Sequence, residues 1–217
     1  MVDMSMFKRT FRGIALATAA VGAMPLAAQD VGITEEQATV TFALNGNPFT
    51  ISRTQDQAAA LEGEFAKTSR PCPEFCIQPV IPAVGVTPAG ELEVIDFLAV
   101  SVANNAGLLM DARLPAWFAK GAIPGAVNVP FATLDAENPY QTDILRALGA
   151  VATDGGFDFS NALSLMIYGN GPWDAQGTRA VQALIAAGYP ASLIQNYRGG
   201  LEDWLHLGLS TVRPNDD

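Results

Sequence analysis

The stretch LSLMIYGNGPWDAQGTRAVQALIAAGYPASLIQNYRGGLEDW, residues 163–204, decides how this chain folds. Leu165-Met166-Ile167-Tyr168 is a short apolar run that stops at a glycine, as a buried parallel strand does. Gly169 to Trp173 is too rich in Gly and Pro for either regular element. From Ala175 onward Ala180, Leu184 and Ala187 recur at helical spacing, and Gly188 supplies the stop. A second strand and the start of a closing helix follow. In strand–loop–helix units ligands sit where the strand's carboxyl end meets the helix N-terminus, so the floor of any site is expected at Gly169–Gly177.

The segment resembles the second half of a rhodanese homology domain. The resemblance rests on Tyr168 at the strand end, Gly188-Tyr189 closing the helix, and Gly199-Gly200-Leu201-Glu202-Asp203-Trp204. The first half is similar too. Leu108-Leu109-Met110-Asp111-Ala112-Arg113 resembles the family's early strand with its Asp-x-Arg. Gly121-Ala122-Ile123-Pro124-Gly125-Ala126-Val127-Asn128-Val129-Pro130 resembles its GHIPGAxNIP signature. The resemblance implies an α/β fold with a parallel sheet flanked by helices. It also implies sulfur transfer through a loop cysteine. Here Gly169 stands at that cysteine's position, and a carbon without a side chain cannot form a persulfide. Similar exported bacterial proteins carry Cys-Asn-Gly-Pro-Trp-Cys in this loop; Gly169 and Asp174 replace both cysteines. A rhodanese-like phosphatase would need Cys followed by Arg, which the same position excludes. The expectation is an exported module that is no active sulfurtransferase and that binds a protein partner or small anion at residues 169–177. The enzyme alternative is sulfur transfer or thiol–disulfide exchange through Cys72 and Cys76.

The chain has 217 residues, 49% hydrophobic and 16% charged, enough for one globular domain with extensions. A net charge of −10 argues against nucleic acid or an anionic membrane surface as partner. Lys8, Arg9 and Arg12, the apolar Ile14–Met24 run and Pro25-Leu26-Ala27-Ala28 form the three regions of a cleavable signal peptide, residues 1–28, placing the product in the periplasm or outside the cell. A membrane anchor is the competing reading, but the run falls short of the roughly 20 residues a span needs.

Residues 29–89 read as an extension. A flexible polar lead-in at 29–38 precedes two alternating runs around Asn45-Gly46-Asn47, a hairpin signal. Residues 54–90, with five prolines from Pro71 to Pro88, read as an ordered, mostly irregular linker wrapped over the surface. The domain is expected over 90–210 with a tail at 211–217. It opens with a helix over 91–103, a strand at 108–110, a short helix at 115–120 with Trp117 and Phe118 inward, a strand at Val127 and Val129, and a helix over 142–150.

Each candidate site has a plain structural alternative. In the loop, Gly169, Asn170, Gly171, Trp173, Asp174, Gln176 and Arg179 make an anion-binding concavity if it stays open, and the rhodanese resemblance implies that Arg198 lies on the loop facing it. If Asp174 satisfies the helix start itself, the loop is only a turn. Trp173 is either a recognition anchor or folded back onto the domain. The resemblance implies that Asp111 and Arg113 are an ion pair supporting the domain from within, and Gly125, Asn128, Gly199, Gly200 and Trp204 read as structural. Cys72 and Cys76, the only cysteines, form a disulfide in an exported protein or else a redox pair near Arg70. His206, the sole histidine, reads as a helix end. No metal and no cofactor is expected, because two cysteines and one histidine do not fill a zinc site.

Overall fold

The computed structural model describes residues 31–214, so the proposed signal peptide lies outside the described residues. The centre is a five-stranded parallel sheet in the order β3 (Thr87–Pro88), β9 (Ile194–Tyr197), β8 (Ser164–Tyr168), β4 (Gly107–Asp111), β5 (Val127–Asn128). The apolar run read as a buried strand is therefore the middle strand. Leu165 pairs with Ile194 on one side and with Leu108 on the other.

Alternation along β8 splits the core into two layers. Met166 and Tyr168 face one side; Leu165 and Ile167 face the other. The first layer is covered by α1 (Glu91–Phe97), its one-turn π continuation Leu98–Val102, and α5 (Gly200–His206). The second is covered by α3 (Gln141–Ala147) and α4 (Ala175–Ala186). The α4 boundary follows its residues. Asp174 caps the N-terminus, Ala180, Val181 and Leu184 are buried, and Gly188 at φ +89° ends it.

The hairpin at Asn45-Gly46 forms as read. β1 (Val40–Leu44) pairs with β2 (Asn47–Ile51) across a turn with both central residues at positive φ. Val40, Phe42 and Ile51 are buried against the first layer, so the hairpin completes the core. Gly125 makes room for it. A Cβ there would lie 2.9 Å from Leu44 Cδ1 and 3.1 Å from Phe42.

The structure departs from the sequence reading at several places. Residues 54–90 are mostly irregular but hold two regular pieces that the sequence reading did not place: Gly63–Ala66 is a 3₁₀ turn, and β3 adds the sheet's edge strand. Pro88 has no N–H to donate, which an edge position tolerates. Residues 31–38 are not a free lead-in, because Arg53 donates to Gly32 O and Gln55 bonds Val31 at both N and O. α2 (Pro115–Phe118) forms, but Trp117 and Phe118 are only half-buried, with Trp117 lying between Phe65 and Lys120. A second hairpin, β6 (Val151–Thr153) with β7 (Gly156–Asp158), was not anticipated, although Asp154-Gly155 is its turn signal.

Asp111 and Tyr168 are register partners at the carboxyl ends of β4 and β8. The Tyr168 hydroxyl donates to Asp111 Oδ2 at 2.6 Å, and Arg113 Nη2 donates to the same oxygen at 2.5 Å. Arg113 Nη2 also donates to Gly121 O, and Asn128 Nδ2 donates to the carbonyls of Asp111 and Arg113, which fixes β5. Both charges are fully buried. Burial works against the Arg113 charge, but the hydrogen bond and charge of Asp111 outweigh it and hold the guanidinium protonated. Burial, followed by the Asp111 charge, keeps the Tyr168 hydroxyl well above its ordinary range, so it remains a donor. Removing one partner strands the other charge. Arg113→Met is expected to cost about 3–5 kcal/mol in urea unfolding, and pairing it with Asp111→Leu is expected to recover part of that loss.

Candidate functional site

The loop from Gly169 to Asp174 joins the central strand to α4, where the sequence placed a site floor. It is filled from within. Asp174, 9% exposed, accepts from the Asn170 N–H at 2.8 Å through Oδ2 and from the Gln176 N–H at 3.1 Å through Oδ1. The Gln176 amide also donates to both oxygens, while its own oxygen accepts the Leu114 N–H at 2.8 Å. The N–H groups that would cradle an anion thus hold the chain's own carboxylate. The space left among Gln78, Gly169, Asp174, Gly177 and Arg198 is about 10 Å³, room for a single water.

Close backbone approach explains the glycines. A Cβ on Gly169 would meet Asp174 Oδ2 and Gly177 N at 3.1 Å each. Gly200, at φ +62°, lies where a Cβ would come 2.5 Å from Gly169 O. The start of α5 therefore touches the loop: the Leu201 and Glu202 N–H groups donate to the carbonyls of Gly169 and Asn170. A Cβ on Gly199 would strike Asp203 at 2.6 Å. Trp204 is fully buried behind this turn and donates to Ser210 O.

Residues 70–78 form a strap over the loop. Trp173 is folded back and half-buried, its Nε1 donating to Glu202 Oε2 at 2.7 Å. The Arg70 guanidinium sits 3.6 Å from the Trp173 ring centroid, and Phe75 meets that ring edge-on at 5.5 Å. The Gln78 N–H donates to Pro172 O at 2.8 Å, and Arg198 Nε donates to Gln78 O at 2.7 Å. Cys72 and Cys76 are joined as a disulfide inside this strap.

Of the residues expected to line an anion site, the structure gathers Gly169, Asn170, Gly171, Asp174 and Gln176, but around Asp174 rather than around an opening. Arg179 is not among them. Its guanidinium reaches Asp135 at 3.5 Å and lies over the Phe131 ring, beside the 3₁₀ turn Phe131–Leu134. Arg198 does face the loop, but it is spent on Gln78. Phe75, Gln78 and Glu202 belong to the site and were missed. Their contacts with the loop cross 29 to about 100 residues, and no local spacing announces them. Among the described residues no cluster of three or more His, Cys, Asp or Glu could hold a metal.

A wider groove of about 1000 Å³ lies between residues 53–68 and α5, lined by Phe65, Trp173, Glu202, Asp203 and His206 among others. Burial raises the Glu202 carboxyl above its ordinary value, against the Trp173 hydrogen bond and the Arg70 charge. Burial and the Glu91 charge raise Asp203, against His206 and Arg198. A raised carboxyl favours the fold while protonated, and that contribution is lost as pH rises through its folded value. Asp203→Asn is therefore expected to unfold at higher urea than the parent at pH 7. The two curves should converge below pH 3.8, the ordinary value for the group. A difference that persists in acid would assign the effect to packing.

The family model of the rhodanese-like domain matches residues 98–207. Among solved structures, a human single-domain sulfurtransferase is 23% identical, covering 54% of this chain and 94% of its own, with a TM-score of 0.38. A rhodanese-like domain from Anabaena sp. is 19% identical, covering 59% and 82%, with a TM-score of 0.38. An As-Sb reductase from Leishmania major is 15% identical, covering 56% and 78%, with a TM-score of 0.42. No curated protein matches the sequence at a significant level. With its parallel sheet, its strand–loop–helix at 164–186 and this match over half its length, the chain belongs to the rhodanese-like domain family.

Proposed function

We propose that this protein is an exported rhodanese-homology module that does not transfer sulfur and works by binding a protein partner. The observation that carries this is the Asp174 carboxylate seated on the Asn170 and Gln176 N–H groups, in a loop whose nucleophile position is Gly169. A second anion there would meet a charge already in place, and an N-cap aspartate lost to alanine costs about 1 kcal/mol. The small-anion reading is thereby disfavoured. A protein surface remains. The strap and the residues just after it carry Ile77, Val80, Ile81 and Val84, all exposed, Val84 at 96%. Apolar side chains held in water on an ordered segment suit contact with another protein. Export is supported by the amino-terminal sequence and by a disulfide, which persists in oxidising compartments. No helix among the described residues is long and apolar enough to cross a membrane.

The enzyme reading, chemistry at Cys72 and Cys76, keeps one supporting observation: the pair brackets Phe75, whose ring meets Trp173 of the loop, and Cys72 is exposed. A photocrosslinker at position 84 in the exported protein is expected to give a discrete protein adduct that the same crosslinker does not give in an Ile81→Asp chain, where a charge stands in the exposed apolar patch. Thiosulfate:cyanide turnover is expected at background. Turnover that disappears in the Cys72→Ser, Cys76→Ser chain would replace the binding reading with the enzyme reading.

A further inference from the structure

We propose that the Cys72–Cys76 disulfide is an exchangeable latch, and that its reduction by a protein dithiol releases the 70–78 strap from Trp173 and uncovers the Gly169–Gly177 loop. The proposal deepens the binding reading, on which it rests for its purpose: it makes the redox state of the pair decide which surface a partner meets.

Position comes first. The bond encloses Phe75, whose ring meets Trp173, and lies between the strap's two other anchors. Arg70, just before it, covers the Trp173 face at 3.6 Å. Gln78, just after it, donates to Pro172 O at 2.8 Å and accepts from Arg198 at 2.7 Å. Gln78 also donates to Cys76 O, so the anchor is tied directly to a bridged residue. The backbone of the enclosed turn is set by Phe75 N–H to Pro71 O at 2.9 Å. These are the hydrogen bonds and ring contacts found between this segment and the loop among the described residues; Arg70 is also held from residue 64, by Glu64 O and by the Glu64 carboxylate at 3.5 Å, while Pro71, Cys72, Pro73, Glu74 and Ile77 are all exposed.

Magnitude comes second. The cysteines are 4 apart, so the bond closes a very short ring and removes little entropy from the unfolded chain. It adds little to the stability of the domain as a whole. Its effect is local: it restricts the few residues that must stay in place for one stacking contact, one edge contact and two hydrogen bonds to survive. Segments held by so few contacts open without global unfolding.

Access comes third. Cys72 is exposed while Cys76 is half-buried, so an incoming thiolate reaches Cys72 Sγ. Its attack forms a mixed disulfide at Cys72 and breaks the Cys72–Cys76 bond. The Cys76 thiolate leaves and takes a proton from water. The donor's second thiol then resolves the mixed disulfide, leaving the Cys72 thiol and an oxidised donor. Two electrons pass from the donor dithiol to the pair.

Hydrogen exchange of the full chain, with and without dithiothreitol, tests this. Exchange in residues 70–80 and 169–176 is expected to rise at least about tenfold on reduction, while β8 and α4 from Ala180 onward stay protected. The Cys72→Ser, Cys76→Ser chain should match the reduced protein without reductant. Three results overturn the proposal: a bond that dithiothreitol leaves intact in the folded protein, reduction with both segments unchanged, or deprotection spreading through the sheet, which would make the bond a structural staple. The Val84 crosslink is scored on the oxidised protein, so loss of the latch and loss of the partner are separate results.

Discussion

Asp174 supplies, from within the chain, the negative charge that the start of α4 is built to receive. Its two oxygens take the Asn170 and Gln176 N–H groups, and Gln176 then reaches across to the Leu114 backbone after β4. One side chain thereby sets the helix start, the path of the loop and the link to the neighbouring strand end. The close packing of Gly169, Gly177 and Gly200 is possible because the loop is drawn tight around this carboxylate rather than held open around a ligand. In the rhodanese fold, that is the difference between a site and a turn.

The extension completes the closure. Family membership accounts for residues 98–207, yet three features outside that span shape the site face. The hairpin fills the first core layer over Gly125. β3 adds the sheet edge beside β9. The strap presses Arg70 and Phe75 onto Trp173. The disulfide sits in the last of these, bridging the turn that carries Phe75. The buried Asp111–Arg113–Tyr168 network lies at the same carboxyl edge of the sheet, and it makes the scaffold beneath the loop rigid while the covering above it is held by a few contacts.

Much of this was legible in the residues. The apolar run at 165–168, the helical spacing after Ala175, Gly188 and Asn45-Gly46 each act through local backbone physics, so each could be read locally. The Gly169 substitution was legible because a missing thiol needs no geometry. The alternative that Asp174 satisfies the helix start was legible as well, since N-cap chemistry spans only a few residues. What stayed hidden depends on distance along the chain, on segments too short to show a period, or on which way a long side chain turns. The Arg70–Trp173 stack joins segments about 100 residues apart, and β3 has two residues, too few to show a period. Arg179 lies close to the loop in sequence, yet its long side chain follows the helix face toward Asp135. The hairpin at 151–158 has short, largely exposed strands and so no apolar alternation to betray it.

The central claim is that the loop is closed and chemically silent. Intact mass of the folded, oxidised protein after incubation with thiosulfate tests it most directly. The account predicts an unchanged mass, because position 169 offers no sulfur and the two cysteines are bonded to each other. A gain of one sulfur atom, removable by cyanide, would contradict it.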